Sequence, residues 1–170
     1  MRASRGDWII VIATAALFAV GVYEGWWMRP ESGDFTAIDG DSLRKAGQDT
    51  RLFGIDAPEL HQLCTAQDGK SYACGQEARR ALQGLVRGKK LTCRPVDTDR
   101  YGRTVAVCRN GDLDIGREMV RQGFAVAYLR HSLAYAAEEA EARTAKRGIW
   151  QGAFEEPEDW RAEHRSGIGG

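Results

Sequence analysis

Three short segments concentrate residues able to do chemistry: Ile38-Asp39-Gly40-Asp41-Ser42, then Arg51 to Glu59 (RLFGIDAPE), then Asp99-Arg100-Tyr101-Gly102-Arg103. Carboxylates are hard oxygen donors suited to a divalent cation. Guanidinium groups keep their charge and make paired hydrogen bonds to phosphate oxygens. Each segment alone also has a plain reading. Asp39-Gly40-Asp41 is a turn in which glycine supplies positive φ, Asp56 to Glu59 is a helix start, and Asp99 to Arg103 is a hairpin tip.

Charge distribution sharpens the picture. The 24 Lys and Arg balance the 24 Asp and Glu, so the chain does not hold polyanions by global charge. Residues 31–74 nevertheless carry 4 basic and 8 acidic side chains, residues 75–130 carry 12 and 6, and residues 131–170 carry 5 and 8. A basic middle beside an Asp-rich first part is the pattern of a cation-assisted phosphate site.

In this order and spacing the three segments resemble the thermonuclease, or staphylococcal-nuclease-like, family, whose motif runs D-G-D, R-L-x-G-I-D-x-P-E, D-x-Y-G-R. The likeness covers residues 34–150 and includes Gly123 to Tyr128 and Gly148-Ile149-Trp150. It implies an OB-type barrel of five strands with about three helices, an α+β fold that is mainly β, and calcium-dependent cleavage of DNA or RNA. By the same resemblance Asp41, Asp56 and the Ala57 carbonyl hold Ca2+, with Asp39 in an outer position holding bound water. Glu59 positions or deprotonates the attacking water. Arg51 and Arg103 grip the scissile phosphate, Arg100 and Tyr101 contact the neighbouring phosphate, and Tyr128 packs on the base. Two departures stand out: Arg130 replaces a second aromatic, and residues 60–74 carry cysteines and His61 where lysines are expected.

The elements that must position these residues are short. Strand-like runs occupy 34–38, 42–44 and 50–55. Arg51 and Asp56 are five apart, so an ideal strand puts them on opposite faces, and a bulge at Gly54 is expected to correct this. Residues 76–87 place Ala78, Leu82, Leu85 and Val86 on one helical stripe ended by Gly88. A hairpin spans 90–109, a helix starts near Asp114, and Ser132 is expected to cap a last helix over 133–147. Residues 151–170, acidic and Gly-rich, are expected to form a loose tail.

With Arg100 and Tyr101 at the tip, residues of the hairpin whose numbers sum to 201 face one another, which pairs Cys93 with Cys108 and leaves Cys64 to Cys74 to close a surface loop. Disulfides need an oxidising space. The first part of the chain provides the route: residues 8–28 form an apolar run behind Arg2 and Arg5, with tryptophans at both ends and no small-residue cleavage site after it. A transmembrane anchor is preferred to a cleaved signal, with residues 1–7 cytoplasmic, 29–33 a linker and the domain outside the cytoplasm. Expected partners are a nucleic-acid substrate and the membrane, with a monomer as default. The rival reading is a catalytically silent module of the same fold that binds nucleic acid or protein in the cell envelope.

Overall fold

The computed structural model describes residues 29–130 and 132–166. The expected membrane segment, residues 8–28, lies outside them. Among the described residues no helix is long and apolar enough to cross a membrane.

The architecture is mixed and mainly β. Strands β1 (Glu31–Asp34), β2 (Thr36–Ala37), β3 (Ser42–Lys45), β4 (Gln48–Leu52), β8 (Lys90–Thr98), β9 (Thr104–Asn110) and β10 (Leu113–Asp114) form the main sheet. Its path runs β1-β8-β9-β4-β3-β2, with β10 against β9. The sheet is nearly closed and barrel-like, which fits the expected OB-type barrel. Every pairing in it is antiparallel except β4 with β9, which run parallel through Thr50–Thr104, Arg51–Val105 and Leu52–Ala106. Strand β5 (Ile55–Asp56) pairs with β11 (Val126–Ala127), and β6 (Cys64–Thr65) pairs with β7 (Ser71–Tyr72).

Four α-helices are described: α1 (Cys74–Val86), α2 (Ile115–Arg121), α3 (Ala136–Thr144) and α4 (Pro157–Ser166), with a 3-10 turn at Gly148–Gln151. The apolar stripes of α1 and α2 behave as their spacing requires. Ala78, Leu82 and Val86 are buried, as are Ile115, Met119 and Val120, in one core with Leu43, Leu52 and Leu91 of the main sheet and Ile55 of β5. Asp114 caps α2 by accepting a hydrogen bond from the Arg117 amide.

Five expectations change. Seven short strands stand in the main sheet where five were expected. Residues 31–33, read as linker, belong to strand β1, which runs to Asp34 and pairs with 90–93. Helix α3 starts at Ala136, since the Ser132 hydroxyl accepts from the Ala134 amide and makes a local turn instead of a cap. Within the stretch expected to be a loose tail, residues 157–166 are helical: Pro157, whose fixed φ suits a first helical position, opens α4 with Glu158 and Asp159 in its first turn. That helix brings the described total to four, where about three were expected.

The hairpin keeps the expected register at its base. Cys93 faces Cys108 and the two are bonded, as are Cys64 and Cys74. Between Pro95 and Asp97 the register slips by one residue, so Thr98 faces Thr104 and the tip loop is Asp99 to Arg103. Proline has no amide hydrogen to give a ladder, which suits a bulge at this point.

Candidate active site

Gly40 sets the depth of the first segment. A Cβ there would lie 2.6 Å from the Ala57 Cβ and 2.8 Å from the Ala78 Cβ. Its φ is not positive, so close packing, and not the left-handed backbone expected of the D-G-D turn, requires glycine. The Asp39 carboxylate accepts from the Asp41 amide at 3.0 Å, and the Ile38 amide donates to the Ser42 carbonyl. The turn delivers Asp41 to the base of a cleft, where it is 5% exposed.

The parity problem between Arg51 and Asp56 is solved by a turn at Phe53-Gly54, with Gly54 at φ +73°, and not by a bulge. Strand β4 stops at Leu52 and β5 restarts at Ile55, which brings the Asp56 carboxylate to the Arg51 side chain. One nitrogen of Arg51 lies 2.7 Å from Asp56 Oδ1 and 3.0 Å from Asp41 Oδ2. Two buried carboxylates therefore converge on one guanidinium. The Ala57 amide also donates to Asp41 Oδ2, at 3.3 Å.

Glu59 stands at the wall. Its amide donates to the Gln62 side chain at 3.0 Å, and the Gln62 amide donates back to the Glu59 carbonyl. Gln62 is fully buried and reaches the Glu155 carbonyl at 2.7 Å, so it ties this turn to the C-terminal segment. Gly75 at the start of α1 packs so closely on the Glu59 carbonyl that no side chain fits there.

The hairpin tip forms the opposite rim. Asp99 accepts from the Tyr101 and Arg103 amides at 2.9 Å and from Arg103 Nε at 2.7 Å. Arg100 and Arg103 lie over the Tyr101 ring, at 4.9 and 5.7 Å from its centroid. Tyr128 follows β11 and donates its amide to the Gly54 carbonyl.

Nine of the ten expected cleft residues line one cavity of about 870 Å³: Asp39, Asp41, Arg51, Ala57, Glu59, Arg100, Tyr101, Arg103 and Tyr128. Asp56, 1% exposed, sits behind this lining and reaches it through its hydrogen bond with Arg51. Two further residues went unnoticed in the sequence. One is Gln62, which carries no motif. The other is Arg161 of α4, whose fork donates to both oxygens of Asp56, at 3.0 and 2.8 Å, and to Glu59 at 2.9 Å. The helix-start pattern Pro157-Glu158-Asp159 was the signal that could have exposed it.

Burial, then the neighbouring Asp41 carboxylate, pushes Asp39 up to about 6. Burial also raises the Asp56 pKa, against the pull of Arg161 and Arg51. Burial works against charge on Arg51 and Arg161 as well, but their carboxylate partners outweigh it and hold both above the ordinary guanidinium value. The cluster thus holds four carboxylates against two guanidiniums and is short of positive charge.

Residues 49–152 match the model of the family described as staphylococcal nuclease homologue. The chain belongs to this family. Among its relatives, the succinoglycan biosynthesis protein ExoI of Rhizobium meliloti is 34% identical over 125 residues, covering 72% of this chain and 65% of that protein. Protein ParB of Escherichia coli is 34% identical over 94% of each chain, and a probable endonuclease of Komagataella phaffii, LCL3, is 32% identical over 76% of this chain and 60% of that one. The chain thus spans just under two thirds of two of these three relatives. The family match stops at residue 152, before α4 and Arg161 begin.

Proposed function

We propose that this staphylococcal-nuclease-type domain is a calcium-dependent phosphodiesterase that hydrolyses DNA or RNA outside the cytoplasm. The observation that carries the reading is the convergence of side chains from residues 39 to 128 on one cleft, with Asp39, Asp41 and Glu59 beside Arg51 and Arg103 in its lining. The name of the Komagataella relative, a probable endonuclease, supports the same class of reaction.

The fit of a cation rests on donor chemistry. Among the described residues no three His, Cys, Asp or Glu side chains form a ready metal cage. Two carboxylates do converge on one positive nitrogen, and the Ala57 carbonyl adjoins them in the chain. An oxygen-only set of this size suits a hard cation that keeps several waters. Asp41, Asp56 and the Ala57 carbonyl would hold Ca2+, with Asp39 ordering its water. When bound, the cation supplies positive charge to a phosphate oxygen.

The chain's own residues do the rest. Glu59 holds the attacking water by a hydrogen bond and takes its proton. Arg103, and Arg51 as its carboxylates engage the cation, donate to the phosphate oxygens on which charge grows in the transition state. Arg100 and Tyr101 hold the adjacent phosphate, and Tyr128 stacks on a base. Anchoring by residues 8–28 would place this chemistry beyond the membrane, where both disulfides persist.

The test is digestion of single-stranded DNA, duplex DNA and RNA by the purified chain in calcium chloride or in excess chelator. Hydrolysis that needs calcium is expected. Equal hydrolysis in chelator overturns the cation role. Binding without hydrolysis under every condition overturns the enzyme reading in favour of a silent binding module.

A further inference from the structure

Arg161 occupies the carboxylates that the reading above assigns to the cation and to the base, on which this inference rests. Its two terminal nitrogens take both Asp56 oxygens, and one of them also holds Glu59. Asp56 Oδ1 already accepts from Arg51. A dication brought to Asp56 meets a guanidinium whose fork lies on both oxygens, and like charges at that range repel strongly in a site this dry. The same group holds a Glu59 oxygen at 2.9 Å, a position that an attacking water would otherwise occupy.

The mounting of this arginine differs from that of the rest of the site. The chain is fastened up to Glu155: Ala153 and Thr65 exchange two backbone hydrogen bonds at 2.7 and 3.0 Å, and Gln62 holds the Glu155 carbonyl. Beyond Pro157 charge pairs tie the helix to the body, among them Arg161 with Asp56 and Glu59, and Glu158 with the exposed Arg130 at 3.0 Å. The described side chains of this helix after Pro157 are half-buried or exposed, and weakly buried segments open locally at low cost.

We infer that α4 is a built-in latch: Arg161 stands in for the cation at Asp56, so docking of α4 and binding of calcium exclude one another. The latch keeps the base Glu59 occupied until calcium is present, and calcium binding releases Glu59 and opens the side of the cleft walled by Glu158, Arg161 and Ala162.

The experiment compares the full chain with its Arg161→Gln, Arg161→Lys and Arg44→Gln variants, measuring calcium chloride binding by calorimetry and amide hydrogen exchange over residues 157–164. In the unaltered chain calcium should speed exchange across α4. Arg161→Gln and Arg161→Lys should bind calcium about tenfold tighter, as expected where only about a tenth of the molecules are open, and should exchange fast without it. Lysine keeps the charge but loses the two-point fork, so tight binding in that variant separates direct occupancy from long-range repulsion. Arg44, paired with Asp49 on the surface, removes the same charge and should change neither reading. If the unaltered chain and Arg161→Gln bind calcium equally and α4 stays protected in both, the latch is overturned and the cation site stands. If no variant binds calcium, the cation site falls and the latch falls with it.

Discussion

Arg51 and Arg103 face the same cleft from unlike supports. Arg51 projects from β4 and is clamped between Asp41 and Asp56, which are 5% and 1% exposed. Arg103 sits at the mouth of a hairpin and is tied to Asp99 inside its own loop, near a Tyr101 that is 61% exposed. At the floor, charge and fold are the same problem, because a buried ion left without its partner is costly. At the rim, water can replace a lost partner. Changes at the floor therefore mix stability with activity, whereas changes at the rim report on chemistry.

The strongest break of this contrast is Asp56→Ala. It takes from Arg51 and Arg161 their shared, most buried partner, leaving each with a single carboxylate, Asp41 and Glu59, and stability should fall by about 3 kcal/mol together with activity, as read by urea denaturation and nuclease assay. Full stability in this variant would show that water reaches the floor as freely as the rim. The next change, Arg103→Lys, should leave stability within about 0.5 kcal/mol. Turnover should drop about ten- to hundredfold, or roughly 1.4–2.7 kcal/mol, since lysine keeps charge without the planar fork. Loss of folding there would erase the distinction.

The smallest effect is expected at Asp99→Asn. Although burial opposes it, Arg103 and the loop amides hold the Asp99 pKa below the usual value of 3.8. A depressed carboxylate pKa contributes stability that is present above pH 3.8 and lost as pH falls through the lower folded value. Asp99→Asn should cost about 1 kcal/mol at neutral pH, and that difference should shrink as pH falls below 3.8. A penalty that persists unchanged in strong acid would assign it to packing and not to the ion pair.

The contrast also explains what could be read from the sequence. Nine of the ten expected positions lie in three dense runs where glycine, proline and charged groups are fixed by local geometry, and Tyr128 stands apart from them; the fold brings nine of the ten into one cleft lining. Cys93 and Cys108 were legible because a hairpin has its own register, although the one-residue slip at Val96 was not. Gln62 and Arg161 act over long range. A buried glutamine that braces a turn has no periodic signature, and Arg161 reaches Asp56 from 105 residues away. Acid-rich composition suggested a loose tail and masked a short helix whose value lies in one contact. The reason for Gly40 was also hidden, because its crowding by Ala57 and Ala78 is tertiary.

The parallel pairing of β4 with β9 bears on the order in which the molecule comes into being. Thr50 meets Thr104 more than fifty residues later, and closing so long a loop is entropically uphill until the contacts form. Asp41 and Arg51 leave the ribosome early, while Arg103 joins them only after the intervening helix and hairpin have been made. No nascent N-terminal fragment owns a complete cleft, so the cleft is a late product of folding and arrives with closure of the barrel itself.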